Sequence, residues 1–468
     1  MEIVAEAAKP EIVGRWWLPD REQHDEAGVL RIGDTGDMEL SVFGLLGPIQ
    51  RWEAESLPPT QIIWGLTNSH NLITLVSSLP RGFEHSMPGF AVERYSPQVA
   101  LFGDHLTWED LQFEAIRVSF PNLARWSGLS GLRRTVGISI RDVAITIDPP
   151  NVAEIMLADE TRVNIEFTYD LPEISHVDEQ MHVRYRFASE QSLDAASRYA
   201  ADLRHLISIQ AGMSVLPDRI SLYTARRSGT PMDRDDPAAQ PLDLVRPAVH
   251  SRPETDDRQE YLLTAGQHPT GIRGLLPAWH KTASRYRRVV DVASALYYAP
   301  QSYRNPELLL AASMAETLHR LSEHPQQVER ENLARWRSLL ATVPDQHREW
   351  LTSFVEEQSE PSLRRRLLDL VRALGDVGAR MVRNVPHYEL RLNRWRNAAT
   401  HHGLADDLSG AHMYQLAKIT RLVVELNLML DSGYDLVAQL DWLESTSRFR
   451  SASQLRLDWP SLAQDQGS

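Results

Sequence analysis

The stretch Arg394-Trp-Arg-Asn-Ala-Ala-Thr-His-His-Gly403 decides how this chain of 468 residues is read. It lies near the end of a helical pattern, after an unusually basic run. Residues 361–400 hold Arg364, Arg365, Arg366, Arg372, Arg380, Arg383, Arg391, Arg394 and Arg396 against Asp369, Asp376 and Glu389, a net charge of +6, while the rest of the chain sums to −20. A window like this is commonly the solvated face of an amphipathic helix. At its end stands Arg396-Asn397-x-x-x-His401. An arginine can hold developing phosphate charge through two parallel hydrogen bonds, and a histidine titrates near neutral pH. The arginine and histidine alone recur by chance in about every second chain of this size. Adding the asparagine lowers that to the order of a few in a hundred.

The spacing sets a geometric condition. Residues five apart on a helix sit about 140° from each other, so Arg396 and His401 do not share a face, whereas Asn397 and His401 do. Gly403 can end the helix and let His401 swing, or two copies of the chain can set their motifs across one cleft. His402 is a second proton-transfer group or a neighbour near the helix end. A metal site at His401, His402, Asp406 and Asp407 is disfavoured, because adjacent helical histidines point about 100° apart. Trp395 and Tyr388 could stack on bases, but core packing suits them better.

Outward from this stretch, the chain from about residue 274 is helical. Trp279, Ala283, Tyr286, Val290, Ala293 and Tyr297 keep the 3.6-residue period. Pro306 suits the first turn of a second helix. Further helices are expected at about 326–341, 345–357, 362–384, 387–401 and 411–431, and an irregular tail from 445. Before residue 270 short β-type runs dominate, near 12–17, 29–32, 38–43, 61–64, 72–76, 99–102, 113–120, 136–140, 144–147, 163–169 and 182–187. Phe113-Glu-Ala-Ile-Arg-Val-Ser-Phe120 alternates apolar and polar residues, as an antiparallel strand with one wet face does. A helix over 192–210 and a strand over 219–223 follow. The fold class expected is α+β, with residues 1–225 as a β-rich domain, 226–270 as a proline-rich linker or surface loop, 271–444 as an all-α domain and 445–468 as a tail. Asp233, Asp235 and Asp236 read as a solvated acidic loop.

Composition narrows the function. The chain is 42% hydrophobic and 24% charged, which is globular rather than disordered or fibrous. It has no cysteine, which excludes a disulfide scaffold, an iron–sulfur site and a thiol nucleophile. Lysine occurs only at Lys9, Lys281 and Lys418, leaving 46 arginines, a bias that a GC-rich genome explains. The net charge of −14 argues against a protein that coats nucleic acid non-specifically. There is no apolar leader and no apolar run of about 18 residues, so a cytoplasmic protein without a membrane partner is expected. Gly-x-Ser-x-Gly, Walker and Gly-x-Gly-x-x-Gly motifs are missing, so a nucleotide-hydrolysing or dinucleotide enzyme is not expected.

The motif resembles that of the HEPN ribonuclease superfamily, an arginine, a polar residue, three variable residues and a histidine, here Arg396, Asn397 and His401. Leu308-Leu-Leu-Ala-Ala-Ser-Met-Ala-Glu-Thr-Leu-His-Arg320 is similar to the glutamate-bearing helix of the Apea-like HEPN branch, with Glu316 as the acid. Gly14-Arg-Trp-Trp-Leu-Pro19, Gly28-Val-Leu-Arg-Ile and Met38-Glu-Leu-Ser-Val resemble the N-terminal domain paired with that HEPN in ApeA-type anti-phage proteins.

The resemblance implies a β-rich sensor followed by a HEPN helical bundle. It also implies a homodimer with a composite site, and a defence role in which a phage-derived trigger releases RNA cleavage that arrests growth. Structured tRNA is a fitting substrate, because its loops offer splayed bases. Arg396, Asn397, His401 and Glu316 are the catalytic candidates. His402, Arg394, Arg391 and Arg383 are candidates for RNA binding. No metal or organic cofactor is implied. Glu316 could equally pair with Arg396 or Arg320 for structure alone. The competing expectation is a catalytically silent HEPN dimerisation module whose β-rich domain binds a ligand or phage protein.

Overall fold

The structure, a computed structural model, describes residues 11–33, 36–47, 60–85, 89, 91–136, 143–173, 176–224, 241–246, 260–298, 304–322, 338, 340–359, 361–401 and 408–462. The class is α+β, as the sequence pattern requires. The chain divides into two compact units, one within Met1–Gln259 and one formed by Glu260–Ser468 together with Ile209–Gly212.

In the N-terminal unit the first strands close a barrel. β1 (Glu11–Trp17) pairs with β2 (Glu26–Ile32) and β4 (Gln61–Thr67), and β2 pairs with β3 (Met38–Val42). β3 pairs with β6 (Ala91–Ser96), and β5 (Leu72–His85) pairs with both β6 and β4. All are antiparallel, and closure leaves no edge in this part. Trp16, Leu30, Leu40, Ile63, Leu75 and Tyr95 fill the interior with no exposed surface. Trp16 needs the glycine opposite it, since a Cβ on Gly65 would lie 2.3 Å from its ring.

β5 is 14 residues long, and its first half also pairs with β7 (Val99–Phe102). From there the sheet runs outward through further strands. In chain order these are β8 (Gln112–Ser119), β11 (Ile155–Met156), β12 (Arg162–Glu173), β13 (His176–Ser192), β14 (Arg219–Tyr223) and β15 (Leu242–Val245). The spatial order is β7-β15-β14-β8-β13-β12-β11. A separate hairpin joins β9 (Leu132–Val136) to β10 (Val143–Ile147). Two helices belong to this part of the chain, α1 (Leu123–Ser127) and α2 (Leu193–Ala211). β15 lies inside the stretch expected to be a linker. Its four residues are too few for periodicity to register between prolines, yet Leu242 and Leu244 are buried and Asp243 pairs with Arg219 at 2.7 Å.

The C-terminal unit contains α3 (Gly271–Arg285), α4 (Arg287–Tyr298), α5 (Arg304–Leu321), α6 (Asp345–Ser359), α7 (Leu363–Ala373), α8 (Gly375–Val382), α9 (Tyr388–His401), α10 (Gly410–Asp431), α11 (Leu440–Ser445) and α12 (Ser447–Ser453). The helix expected at about 326–341 lies mostly outside the described residues. The single helix expected over 362–384 is two, because Gly375 takes φ 58°, a left-handed conformation that ends α7. α10 is the core helix, buried almost all round from Gln415 to Met429.

That burial includes charge. Arg421 donates to Glu425 at 3.0 Å, Tyr297 donates to Glu425 at 2.7 Å, and Arg448 also bonds Glu425. Burial pushes the Glu425 carboxyl up to about 7 in spite of Arg421. Arg448 sits on α12, so this network docks a segment that the sequence pattern leaves as irregular tail.

Candidate active site

The site grows from α9. Tyr388, Leu392 and Trp395, spaced by four and three, are all buried and pack the helix onto the bundle. The Tyr388 hydroxyl meets the Thr420 hydroxyl at 2.8 Å. Both aromatic residues are therefore core. Packing that stripe inward leaves Arg394 and Asn397 exposed and Arg396 partly exposed.

Arg396 reaches α5. Its Nη2 lies 3.6 Å from Glu316 Oε2, and its Nη1 donates to Asn397 Oδ1 at 3.4 Å. Arg320, one turn beyond Glu316, donates to Glu316 Oε1 at 3.1 Å. One carboxylate thus holds two guanidiniums, those of both arginines named as its structural partners. The side chain of Arg396 stays 38% exposed and that of Glu316 23%. Three of the four catalytic candidates come together in this way. The backbone of His401 is the last of α9, on the helix face of Asn397. Its side chain lies outside the described residues, as do His402, Asp406 and Asp407.

Of the arginines expected to contact RNA, Arg394 and Arg383 are exposed. Arg391 is not. It is only 6% exposed, and it donates to the carbonyls of Pro386 at 2.7 Å and Pro460 at 2.9 Å. Its guanidinium lies 4.9 Å from the Trp459 ring centre. Helical spacing alone does not show that this arginine turns inward to tie the start of α9 to the C-terminal segment. Arg366 does the same at the start of α7, donating to the Pro361 carbonyl at 2.7 Å. Pro361-Ser-Leu-Arg-Arg-Arg366 and Pro386-His-Tyr-Glu-Leu-Arg391 share the pattern Pro-x4-Arg, which is the sequence signal of this contact.

The segment Arg391 holds is one wall of an open cleft of about 1040 Å³. Arg364, Arg383, His387, Leu390 and Arg456 line it. Arg456 and His387 escaped the sequence reading.

The comparisons agree with this architecture. Residues 11–244, half the chain, match the family ApeA N-terminal domain 1, and residues 309–436 match Apea-like HEPN. The chain belongs to the ApeA-type HEPN family. It is thereby an anti-phage protein with a HEPN domain. No curated protein and no solved structure matches it. The Apea-like HEPN match contains Glu316, Arg396, Asn397 and His401. It stops before residues 456–462, so that wall of the cleft lies outside it. No helix among the described residues is long and apolar enough to cross a membrane.

Proposed function

We propose that the HEPN domain is a metal-independent endoribonuclease. The observation that carries this reading is the Glu316–Arg396–Asn397 cluster, which presents a partly exposed arginine on the same helix as His401. Cleavage by internal attack needs three things: a base for the ribose 2′-hydroxyl, an acid for the leaving 5′-oxygen, and positive charge at the phosphorane. The 2′-oxygen forms the new bond to phosphorus while the bond to the 5′-oxygen breaks. The products are a 2′,3′-cyclic phosphate and a 5′-hydroxyl. His401 moves the protons. Arg396 holds the developing charge. Glu316 is a positioning residue that fixes Arg396. Because Arg396 and His401 sit about 140° apart on one helix, the complete site takes its arginine and histidine from two copies of the chain. Structured tRNA is the substrate class, and the N-terminal unit keeps the enzyme silent until infection.

The test is cleavage of total RNA with EDTA present, comparing wild type with His401→Ala and mapping the ends, in extracts of infected and uninfected cells. The expected result is cyclic-phosphate ends from the wild type in infected extract, reduced about 10²–10⁴-fold in the variant. Cleavage abolished by EDTA, or unaffected by the substitution, overturns the reading. Equal cleavage in both extracts overturns silencing by the N-terminal unit.

A further inference from the structure

The cleft between α8, the start of α9 and the C-terminal segment holds cations that the fold itself does not use. Among the described residues the side chains of Arg383, His387 and Arg456 have no hydrogen bond or ion pair. Arg364 has only a loose one, 3.6 Å from Glu389. One carboxylate, that of Asp458, is among the described residues lining the cleft. Four arginines, Arg364, Arg383, Arg391 and Arg456, outnumber that carboxylate; such an excess of like charge costs the folded state through mutual repulsion, and a bound polyanion removes that cost.

The cleft is built rather than incidental. Asn384 donates to the Ser453 carbonyl at 2.7 Å, Gln415 to the Leu455 carbonyl at 2.7 Å, and Arg391 to the Pro460 carbonyl at 2.9 Å. His412 Nε2 lies 3.1 Å from the Asp458 carbonyl. These four bonds fix the wall that presents Arg456. His387 opens α9 from φ 53°, a left-handed conformation that non-glycine residues seldom adopt.

The cleft also has a direction. Leu390, one of its lining residues, shares a helix face with Arg394, Asn397 and His401, at offsets of four, seven and eleven residues. The distance from Leu390 to His401 is roughly 16 Å along the axis at 1.5 Å per residue. Cations strung along such a path suit a chain of phosphates better than a single one.

We propose that this cleft is the entry track for a single RNA strand, with Arg383 and Arg456 as phosphate contacts leading to the Asn397–His401 face. The inference rests on the ribonuclease reading only for the choice of RNA. The test is fluorescence anisotropy with a labelled single-stranded RNA, on the full chain carrying His401→Ala so that nothing is cleaved. Arg383→Ala/Arg456→Ala is compared with the charge-matched Arg31→Ala/Arg94→Ala, after thermal melts show both folded.

The cleft variant is expected to weaken binding at least about tenfold. It should also reduce the slope of log K against log salt by about 1.4, at about 0.7 per phosphate contact on a single strand. The control should change neither. Binding within twofold of the parent, an equal loss in the control, or no RNA binding by the parent overturns the track. If the track binds RNA but the wild type cleaves none, the ribonuclease reading fails alone. If RNA is cleaved while binding ignores Arg383 and Arg456, the track fails alone.

Discussion

Both units contain arginine–carboxylate pairs, and the helical unit adds two arginines buried on backbone carbonyls. In the β-rich unit arginines meet carboxylates across the sheet, Arg31 with Glu11 at 2.9 Å, Arg94 with Glu84 at 2.6 Å and Arg219 with Asp243 at 2.7 Å. In the helical unit Arg366 and Arg391 are buried on backbone carbonyls, and Arg396 shares Glu316 with Arg320. Arg383 and Arg456 line a cleft that has one carboxylate among its described lining residues. Cross-strand pairs neutralise a surface. Carbonyl-bound arginines build a wall, and the arginines left over charge it. The lesson is that charge counts along a sequence become informative only once each cation's partner is known.

That contrast can be broken at several points. Arg391→Met removes charge-assisted bonds to two carbonyls from a buried position, and should cost about 2–4 kcal/mol in urea unfolding of the C-terminal unit. It should also speed proteolysis within residues 454–462. A variant as stable as the parent would mean the wall does not depend on this arginine.

Below pH 6.5 the β-rich unit has its own weak point. Burial, with Arg117 and Arg219 nearby, lowers the His182 imidazole to about 4. Its folded value lies below the unfolded one, so its contribution is complete above about pH 6.5 and is lost as pH falls toward 4. Between pH 7 and 5 this amounts to about 1–2 kcal/mol. His182→Gln should flatten that part of the stability profile, measured from urea midpoints. A profile unchanged by the substitution removes His182 as the cause.

Glu316→Gln keeps the shape of the clamp on Arg396 but not its charge. The expected outcome is a kcat about tenfold lower with KM and melting temperature nearly unchanged. A fall in melting temperature with kcat intact would make the residue structural only. At the small end, Arg31→Ala with Arg94→Ala should leave the urea midpoint where it is, because exposed pairs contribute little. A clear shift would show that the sheet surface relies on its charges more than the comparison allows.

Much of the fold was legible because periodicity survives in long elements. The strand over 219–223 and the helices that became α5, α9 and α10 stand close to where the pattern put them. β6 and β15 were missed, since Ala91–Ser96 mixes charge into a strand and Leu242–Val245 is too short to show alternation. The break at Gly375 was missed because a left-handed glycine leaves the apolar spacing on either side intact. α12 was missed because its anchor is Arg448 on Glu425, a contact 23 residues apart that no local pattern displays. At the candidate site, residue type and spacing single out Arg396 and Asn397, the family resemblance singles out Glu316, and the structure sets Glu316 3.6 Å from Arg396. Arg456 was not, because its significance comes from a wall held by Asn384, Arg391, His412 and Gln415. Arg391 was misread because spacing gives a residue's angle on a helix, not the depth of its surroundings.

The long sheet of the N-terminal unit has a consequence for life in a crowded cell. Exposed strand edges invite neighbouring chains to add on and seed aggregates. β6, which stands at one end of the strand order, is sealed because β5 pairs with it. The other end is β11, a strand of two residues, Ile155–Met156. β11 pairs only with Arg162 and Val163 of the twelve-residue β12, so from Asn164 to Glu173 the outer edge of β12 has no pairing strand among the described residues. A neighbouring chain that adds a strand to this sheet finds a longer template along β12 than along the two-residue β11.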